Sequence, residues 1–132
     1  MFLQYYVTES TTRNRVNIEI NAATKTDLDA TRNGWQTVWN TDFILDPQKE
    51  KYAAKTEDGE IIALGAYCVR KGSVAVYIAY IESQPESNPT LVEHKKYSGI
   101  GKAMIAFGIQ LSIDASCNGV VVFEAKTDDL EQ

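Results

Sequence analysis

The sequence predicts an α/β fold of the α+β kind, in which helices flank a mixed, mostly antiparallel sheet. Two hairpin signals support this prediction, because Asp58-Gly59 and Lys71-Gly72 each separate β-favouring runs. A third observation is the helical periodicity of residues 99–117, which is followed by the apolar run "VVVFEAKT". Strand, glycine turn, helix and strand in this order make a βαβ unit, so we expect its two strands to be parallel neighbours or splayed partners in one sheet.

The size and composition of the chain are those of one folded domain. Its 132 residues include 44% hydrophobic and 23% charged residues, which is an ordinary globular balance. We therefore expect a single domain over residues 1–132. No apolar run approaches the roughly 20 residues that span a bilayer, and the start of the chain lacks the basic and apolar regions of a secretion signal. These features predict a cytoplasmic protein without a membrane partner.

The charges and the reactive side chains argue against several classes of function. The net charge of −5 would repel a nucleic-acid backbone, so we expect no nucleic-acid partner. His94 is the single histidine and the acidic residues show no ligand spacing, so we expect no metal site. Cys68 and Cys117 lie far apart inside apolar segments, which favours reduced packing residues over a disulfide.

The N-terminal part of the chain carries the weaker secondary-structure signals. A half-buried strand is predicted by apolar residues that alternate with polar ones: Val16, Ile18 and Ile20. Residues 24–43 predict one or two short helices, interrupted by Gly34. We expect Trp35 and Trp39 of this stretch to pack in the core, and the alternative is an aromatic wall for a cationic acceptor.

The pattern is clearer from residue 51 onward. The two hairpin signals predict three antiparallel strands between residues 51 and 83. The next element is a helix of about four turns over residues 99–117. Its apolar positions recur at helical spacing: Ile100, Ala103, Met104, Phe107 and Leu111. Asn118-Gly119 then supplies left-handed residues that would end the helix.

Two glycines, Gly99 and Gly101, open this helix in the segment "KKYSGIGKAM". A Walker loop would need a hydroxyl residue where Ala103 stands, and a dinucleotide fingerprint would need a third glycine where Met104 stands, so both motifs fail. Glycines still let the backbone bend close to a ligand, and the free N–H groups of a helix N-terminus favour anions. The nearby lysines add local positive charge to an acidic chain. The alternative is that the glycines only turn the chain into the helix.

The segment Lys96-Tyr97-Ser98-Gly99-Ile100-Gly101 resembles the Gln/Arg-x-x-Gly-x-Gly/Ala motif of the GCN5-related N-acetyltransferase (GNAT) family. That motif also follows a strand and opens a helix. The resemblance extends over the hairpins, strands and helix of residues 51–127 and implies an acyl-CoA N-acyltransferase (GNAT)-like fold. Lys96 stands where the family has Gln or Arg, a departure that keeps a hydrogen-bond donor but loses the planar fork of arginine.

The resemblance also implies a cofactor, acetyl-CoA, and the residues that hold it. The backbone amides from Ser98 to Ala103 would bind its pyrophosphate. The strand Tyr80–Ser83 would splay from its neighbour and hydrogen-bond the pantetheine arm, and the N–H groups around Ile81 and Ser83 would bind the thioester oxygen. The cofactor-binding set is therefore Ile81, Ser83, Lys96, Ser98, Gly99, Ile100, Gly101, Lys102 and Ala103.

Catalysis would need a base, because an amine with a pKa of about 10.4 is mostly protonated at neutral pH. Glu82, at the end of the strand beside the proposed cleft, is the candidate, and the alternative is a solvated strand-end carboxylate. In the family, a helix after the last strand commonly carries a tyrosine near the CoA sulfur, whereas this sequence continues only "DDLEQ" after Thr127. Tyr80 is the candidate to replace that acid.

The sequence therefore looks C-terminally short for the family, which would leave the strand "VVVFEAKT" with an open edge. Open apolar edges tend to pair with another chain, so we expect a homodimer or a partner across this edge. Two functions remain open. The first is an acetyl-CoA-dependent N-acetyltransferase that moves an acetyl group directly to an amine of an unidentified acceptor. The second is a non-catalytic GNAT-like module that binds CoA or a protein partner.

Overall fold

One sheet organises the residues that the structure describes. The computed structural model describes residues 4–39 and 48–123. In chain order its strands are β1 (Tyr5–Glu9), β2 (Arg15–Ala22), β3 (Glu50–Thr56), β4 (Ile61–Cys68), β5 (Val76–Ser83), β6 (Tyr97–Ser98) and β7 (Val121–Phe123). Across these described ranges they form a seven-stranded sheet in the order β6-β1-β2-β3-β4-β5-β7, antiparallel except where β5 meets β7. The predicted α+β class with a mixed, mostly antiparallel sheet is confirmed.

Helical segments lie on both faces of this sheet. In chain order they are α1 (Lys25–Asp29), a 3₁₀ turn (Ala30–Arg32), a second 3₁₀ turn (Pro85–Ser87) and α2 (Ile100–Asp114). Because side chains alternate along a strand, neighbouring residues of β4 point to opposite faces. Ala63 packs in a cluster with Met104 of α2, and Leu64 packs in a cluster with Leu28 of α1. The core therefore has two layers, one on each face of the sheet.

Both predicted hairpins are present. β3 and β4 are joined at Asp58-Gly59, where Gly59 has a φ of +86° and its N–H donates to the Thr56 carbonyl at 2.9 Å. β4 and β5 are joined at Lys71-Gly72, where Gly72 has a φ of +74°. Residues other than glycine rarely adopt this left-handed conformation, which explains why the sequence signals these turns.

The predicted strand, helix and strand unit is also present. α2 follows β5, and β7 pairs with β5 in parallel, with Val76 opposite Val121 and Ile78 opposite Phe123. The predicted strand "VVVFEAKT" is longer than β7, and its residues after Phe123 lie outside the described part of the chain. The expected homodimer or partner at this edge and the splaying of Tyr80–Ser83 depend on those residues and stay predictions.

The described part of the stretch after β2 contains one short helix, as predicted, and residues 40–43 of the predicted stretch lie outside the described residues. The Thr24 side chain accepts the Asp27 N–H at 3.1 Å, and the Asp27 carboxylate accepts the Thr24 N–H at 2.9 Å. This capping box starts α1, but the 3₁₀ turn that follows ends at Arg32, before Gly34 with its φ of +94°. Trp39 lies beyond the helical residues and is fully buried, so its predicted core position is confirmed.

Tyr67 determines how α2 sits on the sheet. Its ring is fully buried, and its hydroxyl donates to the Met104 carbonyl at 2.9 Å. Glycines on both elements make room for the ring, since a Cβ at Gly65 would lie 2.7 Å from it and a Cβ at Gly108 would lie 3.2 Å from it. Burial raises the pKa of Tyr67, which keeps the phenol protonated as the donor.

The end of α2 differs from the prediction. The helix ends at Asp114, and the residue that turns the chain is Ser116, with a φ of +62°. The N–H groups of Ser116 and Cys117 bond back to carbonyls of the last turn at 3.1 and 2.8 Å, which is a Schellman motif. Asn118-Gly119 are also left-handed, but they follow this motif. The prediction that they end a helix extending to residue 117 is therefore wrong.

Replacing Ser116 by glycine should stabilise the protein. A non-glycine residue in the left-handed conformation costs about 1 kcal/mol or more, and glycine removes that strain. We expect the midpoint of thermal unfolding to rise by about 3–5 °C, as for a gain of about 1 kcal/mol in a domain of this size. Ser73→Gly is the matched control, because Ser73 is a turn residue without a positive φ, and it should not raise the midpoint. A midpoint that stays unchanged in Ser116→Gly would contradict the strain argument.

Gly65→Ala should have the opposite effect on stability. The added methyl group would overlap the buried Tyr67 ring, so we expect the free energy of unfolding to fall by about 1–3 kcal/mol in urea denaturation. Gly101→Ala is the control, since a Cβ at Gly101 meets no atom within 4 Å. Equal stability of Gly65→Ala and wild type would mean that the Tyr67 ring does not fix the distance between α2 and β4.

Candidate functional site

The glycine turn at the start of α2 leaves backbone donors without acceptors in the helix. β6 pairs with β1, and Gly99 then turns the chain into α2 with a φ of +87°. The first-turn hydrogen bond runs from the Ala103 N–H to the Gly99 carbonyl at 3.1 Å. The N–H groups of the three residues before Ala103 have no partner inside the helix. The N-cap residue is Gly99, which has no side chain to accept a hydrogen bond from them. The turn that the sequence predicts to bind an anion therefore presents backbone N–H groups that the helix does not use.

The space around the turn is open and its nearby charge is positive. A Cβ at Gly99 or Gly101 would meet no atom within 4 Å. A cavity of about 300 Å³ lies on the β1 side of the turn, and Lys102 is the charged residue of its wall. Its other wall residues include Tyr5, Val7, Ser98, Gly99 and Ala103. The turn therefore adjoins an open cavity, and the described residues of its wall include no carboxylate.

The end of β5 presents a second set of backbone donors. The Gln84 N–H donates to the Ile62 carbonyl at 2.8 Å. Because hydrogen-bonded residues alternate in an antiparallel pair, the backbone groups of Ile81 and Ser83 point away from β4. β7 pairs with β5 only at Val76–Ile78, so within the described ranges no strand covers this half of β5. The N–H groups of Ile81 and Ser83 face an uncovered edge there.

Three of the predicted cofactor-binding residues contact one core cluster. The Ile81 side chain packs against the cluster that contains Ile100 and Ala103. Ile100 and Ala103 are themselves 4% and 6% exposed, so their side chains are core residues and only their backbone can meet a ligand. Ser98 lies in β6, beside the cavity.

Lys96 lies against a carboxylate rather than in the glycine turn. Its Nζ is 2.9 Å from Glu60 Oε2. The hydrogen bond to Glu60 raises the pKa of Lys96. Burial acts to raise the pKa of Glu60, but hydrogen bonds from Gln84 and Lys96 hold that pKa below its usual value. The predicted contact of Lys96 with a cofactor would require it to leave this ion pair.

Glu82 is a buried carboxylate that accepts three N–H donors. Its Oε2 accepts the Gln36 N–H at 2.7 Å, and its Oε1 accepts the Thr37 N–H at 3.3 Å and the Trp39 indole N–H at 2.9 Å. The residue is 4% exposed, so it is not the solvated strand-end carboxylate of the alternative. The carboxylate fastens the chain before residue 40 to the end of β5, and its role as a base stays a prediction.

Polar side chains around Glu82 hold the same segment. The Thr37 hydroxyl donates to the Tyr80 hydroxyl at 2.9 Å, and the Trp39 ring meets the Tyr80 ring edge-on at 5.4 Å. Asn88 donates to the Gln36 side chain at 3.0 Å. Tyr80 and Glu82 therefore lie on the face opposite to α2, and Ile81 and the glycine turn lie on the α2 face.

Sequence reasoning missed two groups of residues at this site. The backbone donors of Gln36 and Thr37 carry no sequence signal, because any residue supplies an N–H. Glu60 follows the predicted turn at Asp58-Gly59, but nothing in its spacing links it to Lys96. Both groups depend on contacts between distant parts of the chain.

Comparison with known protein families, with curated proteins and with solved structures finds no match for this chain. Among the described residues no group of His, Cys, Asp and Glu side chains could hold a metal ion. In the same ranges, no helix has the length and apolar character needed to cross a membrane.

Glu82→Gln should destabilise the fold. The substitution replaces an accepting oxygen with an NH₂ donor that faces other N–H donors, so we expect the free energy of unfolding to fall by about 1–3 kcal/mol. Urea denaturation measures this change, and Glu86→Gln, on an exposed residue of the next segment, is the control. If Glu82→Gln were as stable as Glu86→Gln, the three hydrogen bonds would not hold the segment before residue 40.

Proposed function

We propose that this protein is an acetyl-CoA-dependent N-acetyltransferase with a GNAT-like fold, which moves an acetyl group directly to an amine of an unidentified acceptor. The observation that carries the proposal is the uncapped first turn of α2, opened by Gly99, whose residues Ile100 and Ala103 belong to the core cluster against which Ile81 of β5 packs. The order of β5, α2 and β7, with the two strands parallel, supports it.

The first turn of α2 suits a diphosphate. The N–H groups of Ile100, Gly101 and Lys102 have no acceptor in the helix, and the helix dipole favours negative charge at this end. The absence of a side chain at Gly101 lets a phosphate approach the backbone, and Lys102 adds a positive charge in the same turn. We assign the diphosphate of acetyl-CoA to these donors.

The end of β5 suits an extended arm that carries amides. Ile81 and Ser83 direct their backbone groups to an edge that no described strand covers. An extended ligand can add to such an edge as a further strand would. An N–H in this position can also donate to the thioester oxygen as negative charge develops on it during transfer.

The opposite face of β5 would receive the acceptor amine. When bound, acetyl-CoA supplies an acetyl thioester whose C–S bond breaks as the C–N bond to the amine forms. Donors from the described residues take three of the roughly four acceptor positions on the Glu82 carboxylate, and we assign the remaining position to the proton of the amine. The Tyr80 hydroxyl, on the same face, is the candidate to protonate the leaving thiolate.

The engagement of Glu82 also favours a second candidate function. A carboxylate that already accepts three N–H donors is suited to holding the segment before residue 40, and a protein that needs Glu82 only for this purpose would have no assigned base. Such a protein would bind CoA without turnover. Release of free CoA thiol from acetyl-CoA in the presence of a panel of amines distinguishes the two functions.

Acetyl-CoA should raise the midpoint of thermal unfolding of the wild-type chain. A ligand at about 100 times its Kd adds about 2.7 kcal/mol to the free energy of unfolding, which a thermal shift detects. Gly101→Glu should abolish the shift, because its carboxylate would occupy the space of the diphosphate and repel it. Gly101→Ala is the matched control for the fold, since the added Cβ meets no atom.

The outcomes separate the parts of the proposal. A shift that is lost in Gly101→Glu, together with thiol release, supports the acetyltransferase. A shift without thiol release for any amine supports the second candidate function. The absence of a shift in the wild type would reject CoA binding, and with it both functions.

A further inference from the structure

The carboxylate of Glu60 joins the two ends of the connection between β5 and α2. Its Oε2 accepts hydrogen bonds from Gln84 Nε2 and Lys96 Nζ, both at 2.9 Å, and its Oε1 accepts the Tyr97 hydroxyl at 3.1 Å. Gln84 directly follows β5, whereas Lys96 and Tyr97 directly precede Ser98 and the glycine turn. One side chain of the β3–β4 turn therefore holds the start and the end of this connection.

Ser87 is a buried residue that links Gln84 to Tyr97. Its hydroxyl donates to Gln84 Oε1 at 2.9 Å and accepts the Tyr97 N–H at 3.1 Å. Gln84 and Ser87 are 2% and 1% exposed, so their polar atoms depend on these partners. The Lys96 N–H also donates to the Glu86 carbonyl at 2.9 Å. We call the set of Glu60, Gln84, Ser87, Lys96 and Tyr97 the Glu60 clamp.

The clamp lies between the two proposed donor sets. Residues 84–96 connect the end of β5 to β6, whose pairing with β1 anchors the residues before the glycine turn. The clamp adds hydrogen bonds that tie the two ends of this connection to each other. The clamp bonds residues that adjoin both donor sets to one carboxylate. In the same set the Lys96 ammonium group pairs with the Glu60 carboxylate, so it is directed at Glu60 and not at the glycine turn.

We propose that Glu60 is a positioning residue, which holds the glycine turn at a fixed distance from the end of β5 through Gln84, Lys96 and Tyr97. The ligand part of this inference rests on the proposed function, because it assumes that the turn and the β5 edge hold one molecule. The structural part does not, because the position of the turn can be measured in the free protein.

The first test uses the free protein. We expect the amide signals of Gly99 and Gly101 in ¹H–¹⁵N NMR spectra to shift or broaden in Glu60→Gln and in Glu60→Ala. Glu57→Gln, on an exposed residue of the same turn, is the matched control and should leave both signals unchanged. A general loss of stability would not move these two signals selectively in the folded state. Unchanged signals in both Glu60 variants would overturn the proposal.

The second test compares CoA with pantetheine, which lacks the phosphates. If Glu60 positions the turn, Glu60→Ala should raise the Kd of CoA about tenfold, corresponding to the loss of one or two hydrogen bonds, and should change the Kd of pantetheine much less. A matching rise for both ligands would overturn the positioning role. If the wild type binds neither ligand, the proposed function fails, while the NMR result still decides whether Glu60 holds the turn.

A double-mutant cycle separates positioning from direct contact by Lys96. If Lys96 acts only through Glu60, the double variant Lys96→Met/Glu60→Ala should change the Gly99 and Gly101 signals and the Kd of CoA no more than Glu60→Ala alone. Independent, additive effects would mean that Lys96 binds the phosphate itself, and that outcome would overturn its assignment to the clamp.

Discussion

The position of α2 on the sheet depends on one buried ring. Tyr67 lies on the same face of β4 as Ala63 and Gly65, because alternate residues of a strand share a face, and this face meets α2. Its ring fits between Gly65 and Gly108, and its hydroxyl bonds to a carbonyl of α2. Tyr52 and Phe107 pack edge-on against it, each with ring centroids 5.8 Å away. The ring fixes how close α2 comes to β4 and therefore where the helix begins.

Two carboxylates then determine how irregular segments meet the end of β5. Glu82 binds the segment before residue 40 through backbone and indole donors, and Glu60 binds both ends of the connection that leads to α2. The two residues differ in surroundings, because Glu82 is almost fully buried and the Glu60 side chain is about one-third exposed. In both cases the negative charge is compensated by N–H or cationic donors, so the residues order the chain without leaving an unpaired charge in the core.

This arrangement gives the end of β5 two different sides. On the α2 side lie the uncapped turn, Lys102 and the half of β5 that no described strand covers, where we propose that acetyl-CoA binds. On the α1 side lie a carboxylate, a tyrosine hydroxyl and two tryptophans, of which Trp39 is held in the core by its bond to Glu82. The proposed transfer would use both sides, with acetyl-CoA on the α2 side and the acceptor amine on the α1 side.

The sequence by itself determined the elements whose signals are local. Gly59 and Gly72 mark the hairpins because their turns need a positive φ, and the periodicity from Ile100 to Leu111 marks α2. The open amides of the glycine turn follow from the helix start alone. Only the tertiary structure decided that β6 pairs with β1 and that Glu82 and Glu60 bind donors far away in the chain. The reason is physical, since φ preferences and periodicity act over a few neighbouring residues, whereas these hydrogen bonds exist only once packing has brought distant residues together.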